Sequence, residues 1–104
     1  MSTTTIGGHT LTVDQEGFLT DRSEWSEEVA TALAEQIGVT LESEHWTVLN
    51  FLRAEHAQTG ETPTLRRVST GLEIPVKHLF ELFPVKPAKK MAYVAGLPKP
   101  RGCV

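Results

Sequence analysis

The chain is poor in cysteine and has no long apolar segment. Only one of its 104 residues is a cysteine, so an intrachain disulfide and a cysteine-rich metal site are both excluded. No apolar run approaches the roughly 20 residues that cross a bilayer. The first ten residues, MSTTTIGGHT, lack the basic and apolar regions of a secretory signal. We therefore expect a globular protein of the cytoplasm, where a free thiol stays reduced.

Charge is distributed unevenly along the chain. Residues 1–62 contain two arginines against eleven acidic residues, whereas residues 63–104 contain eight basic residues against two acidic ones. A basic half favours an anionic partner or an acidic protein face. Attraction between the two halves within the fold explains the same asymmetry, so both interpretations stay open.

The hydrophobic pattern predicts one hairpin followed by helices. Alternation over residues 9–13, turn residues at 14–17 and the pair Phe18-Leu19 predict a small hairpin over residues 5–19, after a frayed start. Apolar residues at helical spacing then predict five helices, which end at glycines or a proline. Their expected starts are Glu27 (capped by Ser26 or Ser23), Ser43, Pro63, Pro75 and Pro87, and their expected ends are Gly38, Gly60, Gly71, Pro84 and Gly96.

These elements predict an α+β fold that is mostly α, with an N-terminal β-hairpin packed on about five helices. We place one domain at residues 1–96 and a flexible C-terminal arm at residues 97–104. The arm reads LPKPRGCV, and its two prolines exclude helix and central strand. In a polyproline-like conformation its eight residues extend roughly 25 Å.

The penultimate residue, Cys103, is the strongest candidate for chemistry. At the tip of a proline-stiffened arm its thiol can reach into the cleft of another protein. Gly96 is the predicted hinge, and Gly102 lets the backbone approach a partner closely. The cations Lys99 and Arg101 favour the thiolate, whereas the C-terminal carboxylate opposes it. From these residues alone, a functional thiol and an incidental surface cysteine are both open.

The ending AGLPKPRGCV (residues 95–104) closely resembles the C-terminal arm of the DsrC/TusE family. Other segments that resemble the family occur in order along nearly the whole chain. They are DQEGFL (14–19), WSE (25–27), EHW (44–46), FELFP (80–84) and PAK (87–89). Members that work with dissimilatory sulfite reductase carry a second cysteine eleven positions before the last, where this chain has Ala92. The resemblance is therefore to the single-cysteine, TusE-like branch.

The resemblance implies a sulfur carrier. Cys103 would accept sulfane sulfur as a persulfide and pass it on, as a carrier of sulfurtransferase type rather than a stand-alone enzyme, with no cofactor or metal. The implied donor is a TusBCD-type (DsrEFH-type) sulfurtransferase. The implied acceptor is a tRNA 2-thiouridylase, or another sulfur-accepting enzyme in a sulfur-oxidising organism. Lys89, Lys90, Lys99 and Arg101 are the candidate partner-binding residues, and we expect neither membrane binding nor direct nucleic-acid binding.

The main alternative is a DNA-binding helix-turn-helix formed by residues 64–71 and 75–83. Its candidate recognition helix has no Arg, Asn or Gln to read bases, and its apolar residues are expected in the core: Leu79, Phe80, Leu82 and Phe83. A metal site is weaker still, because the four histidines lack ligand spacing. We expect His45 at the surface or half-buried at a helix start.

Overall fold

The computed structural model describes residues 2–100 and begins with a β-hairpin. Strands β1 (Ser2–Ile6) and β2 (His9–Val13) are antiparallel, with their ends joined by the pair Gly7-Gly8. Both glycines have positive φ, 57° and 84°. This is the backbone that a tight two-residue hairpin requires, and glycine adopts it without steric cost.

The prediction of a hairpin over residues 5–19 was right in the strand at residues 9–13 and wrong in the partner strand, which precedes it in the chain and does not follow it. Residues 2–5, expected to be frayed, form most of β1, because the Gly-Gly pair and not the later turn closes the hairpin. Leu19 does approach β2, but only through an isolated bridge with Val13.

Five α-helices follow a short 3-10 turn at Arg22–Glu24, which confirms the predicted fold class. Side-chain oxygens cap two of them: Ser26 Oγ accepts from the Val29 N–H of the first, and Thr64 Oγ1 accepts from the Arg67 N–H of the third. The helices are α1 (Glu27–Gln36), α2 (Ser43–Thr59), α3 (Leu65–Leu72), α4 (Val76–Leu82) and α5 (Pro87–Val94).

Gly71 was predicted to end α3 but lies inside it. A Cβ at this position would collide with the Phe51 ring of α2, so the glycine serves the close packing of two helices. The helix ends instead at Glu73, which adopts the left-handed conformation with φ of 58°.

His45, predicted at the surface or half-buried, is buried, with only 7% of its surface accessible. Its Nδ1 accepts from the Glu42 N–H at 3.1 Å, which closes a capping box at the start of α2. The proton must then lie on Nε2, which donates to the Leu82 carbonyl at 2.9 Å. The ring also packs edge-on against Phe83, with 5.2 Å between centroids, so His45 ties α2 to the end of α4.

Phe80 was predicted in the core, but 46% of its surface is exposed. Successive helical residues are about 100° apart around the axis. Leu79 and Phe83, four residues apart, therefore face the core together and are fully buried, while Phe80 is turned outward.

Two apolar clusters form the interior. The larger joins residues of all five helices, and the smaller packs the hairpin on α1. Trp25 and Tyr93 lie against both clusters, so the end of α5 sits where the two meet. Among residues 2–100, no helix combines the length and apolarity needed to cross a membrane.

Candidate functional site

The base of the C-terminal arm is packed on the domain. Leu97, the first residue of the predicted arm, is 1% exposed and belongs to the larger core cluster. Its N–H donates to the Ala92 carbonyl at 3.0 Å. Thr62 Oγ1 donates to the Pro98 carbonyl at 2.7 Å, and Pro100 is buried. Packing thus continues past the boundary placed at residue 96.

Three of the predicted site residues, Arg101, Gly102 and Cys103, lie outside the described residues. Covalent geometry still limits how far the thiol can be from the domain. Cys103 follows Pro100 by three residues, so their Cα atoms are at most about 11 Å apart.

The side chains of Trp25 and Arg53 hold the turn that leads into the arm. Trp25 Nε1 donates to the Val94 carbonyl at 3.0 Å, and Arg53 Nη1 donates to the Ala95 carbonyl at 2.7 Å. Between them the chain turns at Gly96, whose φ is +72°. A Cβ atom added at this position would collide with the Trp25 ring. Movement about Gly96, the predicted hinge, would have to break these contacts.

A basic groove lies on the α2 side of the arm base. It has a volume of about 690 Å³. It is lined by Arg22, Arg53, His56, Ala57, Gly60, Leu97 and Pro98. No function was predicted from the sequence for the two arginines or for His56. The available signal was helical spacing, because residues 53, 56 and 57 share one face of α2 and Gly60 follows at its C-terminal end.

A second, more apolar cleft of about 320 Å³ lies beside α5. Its apolar wall includes Phe18 and Tyr93, whose rings pack edge-on with 5.8 Å between centroids. Burial raises the pKa of Tyr93. The lining residues are Glu16, Phe18, Ile37, Val85, Lys86, Lys89, Lys90 and Tyr93.

The predicted partner-binding lysines gather around this second cleft. Lys89 and Lys90 line it directly, and Lys90 Nζ also donates to the Pro84 carbonyl at 2.5 Å. Lys99 of the arm base pairs with Glu16 at 3.1 Å, and Glu16 belongs to the cleft wall. Lys86, which was not predicted as a site residue, adds a third lining ammonium. The fold therefore places cations of α5 and of the arm base around one apolar cleft.

The helix pair of the DNA-binding alternative carries acidic and aromatic groups on its surface. α3 and α4 are joined by residues 73–75, but α4 exposes Phe80. The ring of His78 is held between two exposed carboxylates, Glu44 at 2.8 Å and Glu81 at 2.9 Å. Carboxylates at this surface repel phosphate, which disfavours the DNA-binding alternative. Within the part of the chain that the structure describes, no three His, Cys, Asp or Glu side chains are grouped to hold a metal ion.

Comparison of the sequence with known proteins finds matches along nearly its whole length. The family model described as "DsrC like protein" matches residues 5–104. Sulfurtransferase TusE of Yersinia pseudotuberculosis is 36% identical over 104 residues, which cover 93% of this chain and 96% of the relative. TusE of Escherichia coli K12 is 35% identical, with 93% and 95% covered.

Solved structures agree with the fold. The NMR structure of Allochromatium vinosum DsrC superposes with a TM-score of 0.85 at 36% identity, covering 98% of this chain and 97% of that one. The crystal structure of the oxidised γ-subunit of dissimilatory sulfite reductase (DsrC) from Archaeoglobus fulgidus gives a TM-score of 0.83 at 36% identity, with 99% and 100% covered. The fold is thus shared over nearly the whole chain.

Proposed function

Because the chain belongs to the DsrC-like family and so has a sulfur-carrier role, we propose that it holds sulfane sulfur as a persulfide on Cys103 and delivers it to a partner enzyme. The observation that carries the proposal is the position of its one thiol. Cys103 is the only cysteine, and it follows an arm whose base is anchored on the domain at Leu97 and Pro98.

The anchored base supports delivery by a short lever. Since residues 97–100 pack on the domain, the Cα atom of Cys103 stays within about 11 Å of the Pro100 Cα atom while the thiol visits a partner. A short tether raises the effective concentration of the thiol at any site that the domain docks beside. The predicted contribution of Gly102 to this approach stays a prediction.

The chemistry is thiol exchange at sulfane sulfur, without net oxidation or reduction. The Cys103 thiolate attacks the outer sulfur of a donor cysteine persulfide, and the donor thiolate leaves as the old S–S bond breaks. Cys103 then carries the sulfur. A thiolate of the acceptor attacks that outer sulfur in turn, and the Cys103 thiolate is regenerated.

As sulfur donor and sulfur acceptor we favour enzymes that work with a carrier of a single cysteine. Proteins with two cysteines can form an intramolecular disulfide, but here the corresponding position is Ala92, a fully buried residue of α5. A TusBCD-type (DsrEFH-type) sulfurtransferase as donor and a tRNA 2-thiouridylase as acceptor fit this single thiol, as does another sulfur-accepting enzyme. The cations around the α5 cleft, Lys86, Lys89 and Lys90, suit an acidic partner face.

Intact-mass measurement after incubation with a persulfide-loaded donor enzyme tests the proposal. We expect a gain of one sulfur atom that reductant reverses and that Cys103→Ser abolishes. The variant should keep the circular dichroism spectrum and unfolding midpoint of the parent, because a chain terminus contributes few packing contacts.

A relocated thiol provides the matched control. The double variant Thr10→Cys/Cys103→Ser has one exposed thiol on the hairpin and none on the arm. It should react with a small thiol reagent but take little sulfur from the donor enzyme. Equal loading of this variant and the parent would show that any exposed thiol suffices, and the carrier role of the arm would be rejected.

A further inference from the structure

Three nitrogen-bearing side chains meet in the basic groove beside the arm. Arg22 Nη1 lies 3.5 Å from His56 Nδ1. Arg53 is three residues before His56 on the same face of α2, and its guanidinium lies 3.9 Å from the centroid of the Trp25 ring. Ala57 continues this face and has no side chain beyond Cβ, which keeps the groove open.

The positive charge of this groove is not balanced by the described part of the chain. Among residues 2–100, no carboxylate lies within 4 Å of the guanidinium of Arg22 or of Arg53. Burial, and then repulsion by Arg22, lowers the pKa of Arg53. Two like charges are thus held close together, at an electrostatic cost that a bound anion would remove.

His56 places a neutral imidazole beside these charges. It is 6% exposed, and its pKa is lowered first by burial and then by Arg22 and Arg53. A guanidinium can only donate, so Nδ1 accepts from Arg22 and the ring proton lies on Nε2. The groove therefore presents guanidinium N–H donors beside a neutral imidazole, and guanidinium is a donor that oxyanions prefer.

We propose that the groove of Arg22, Arg53 and His56 binds a small inorganic oxyanion of the sulfate, thiosulfate or phosphate type. Arg22 is exposed and keeps the free edge of its guanidinium for bidentate contact. Arg53 has one N–H committed to the Ala95 carbonyl and is steadied by its stacking on Trp25. Since Leu97 and Pro98 form part of the wall, the bound anion lies next to the arm base. The site does not depend on sulfur transfer.

Titration of the His56 ring by NMR tests the site. Sodium sulfate, thiosulfate and phosphate are each added to the full chain, with sodium chloride at equal ionic strength as reference. A bound anion offsets the repulsion from the two arginines, so each oxyanion should raise the pKa of His56 and saturate as a single site. Chloride should give only the smaller effect of screening.

Two variants locate the site. Arg22→Gln removes the exposed donor and should weaken oxyanion binding about tenfold, the usual loss for a charge-assisted hydrogen bond. Arg66→Gln changes an exposed arginine of α3 and should leave the affinity unchanged. Arg53 is unsuitable as the test because it also supports the fold at Ala95.

The proposal is overturned if the oxyanions and chloride shift His56 equally, or if Arg22→Gln binds as tightly as the parent. Cys103→Ser should bind sulfate and thiosulfate like the parent. Retained binding in this variant separates the groove from the persulfide chemistry, so each proposal can fail without the other.

Discussion

The guanidinium of Arg53 lies over the Trp25 ring, 3.9 Å from its centroid. Both side chains also bind the last turn of α5, Trp25 through the Val94 carbonyl and Arg53 through the Ala95 carbonyl. The carbonyls at a helix end have no hydrogen-bond partner within the helix, and here Trp25 and Arg53 donate to two successive ones. The cation–π contact holds these two side chains together. The packed base of the arm follows directly after this braced turn.

Trp25→Phe removes the indole N–H and leaves the Val94 carbonyl without its partner. We expect a loss of about 1–3 kcal/mol in the free energy of unfolding. Urea unfolding followed by circular dichroism measures it. Trp46→Phe is the control, because it deletes the same atoms from another half-buried tryptophan whose indole has no hydrogen-bond partner among residues 2–100. Equal losses in the two variants would contradict a specific contribution of the Val94 bond.

Gly96→Ala should lower the free energy of unfolding by more than the strain of placing alanine in a left-handed backbone conformation. The new Cβ meets Trp25 and also lies 3.0 Å from Leu19 Cδ2. Gly38→Ala is the matched control, since Gly38 has a nearly identical φ of +75° and a Cβ placed there would have nothing within 4 Å. We expect about 1–2 kcal/mol for Gly38→Ala from the left-handed backbone alone. Gly96→Ala should lose roughly a further 1–3 kcal/mol from overpacking.

If both glycine variants unfold at the same urea concentration, the contact with Trp25 does not restrict Gly96. In that case the turn has room to move, and the prediction of a hinge at Gly96 gains support. A selective loss in Gly96→Ala instead indicates that the turn is a rigid mount for the arm.

His78 should make stability depend on pH. Hydrogen bonds to Glu81 and then Glu44 raise the pKa of His78 above 6.5. Because the raised pKa belongs to the folded state, its stabilising contribution is complete below about pH 6.5 and is lost as pH rises through the folded-state pKa. The unfolding free energies of the parent and His78→Gln should differ more at about pH 6 than at about pH 8.5.

A double-variant cycle isolates that effect. In a background of Glu44→Gln and Glu81→Gln, the change His78→Gln should lose its dependence on pH, because both partners of the imidazolium are gone. A difference between parent and His78→Gln that stays constant across the pH range would contradict the assignment.

Charge reversal at the α5 cleft should slow sulfur loading from a partner enzyme. Lys86→Glu and Lys89→Glu each replace a cation of the cleft rim, and we expect the second-order loading rate to fall about tenfold at low salt. The deficit should shrink as ionic strength rises. Lys77→Glu, an exposed lysine of α4 outside the cleft, serves as the control. A loading rate that is equal in all three variants would exclude the cleft as the docking surface.

Local patterns in the sequence were sufficient for most of the element list. Ser26 and Gly60 set helix ends through capping and positive φ, which depend on neighbouring residues alone. The same local logic went wrong at Gly71, because the reason for that glycine is the Phe51 ring, twenty residues away in the chain. The hairpin was misplaced because two sets of turn residues follow one another, and the chain turns at Gly7-Gly8, where both residues have positive φ.

The sequence alone determined the family. The single cysteine and the arm motif are properties of the chain order, and they led to the DsrC-like family that the comparisons show. Only the tertiary structure decided how the arm is mounted and where the charges gather. Trp25 and Arg53 reach the end of α5 through hydrogen bonds that span 69 and 42 residues of the chain. Contacts over such separations arise from packing of the helices around a common core, and no local pattern of residues specifies them.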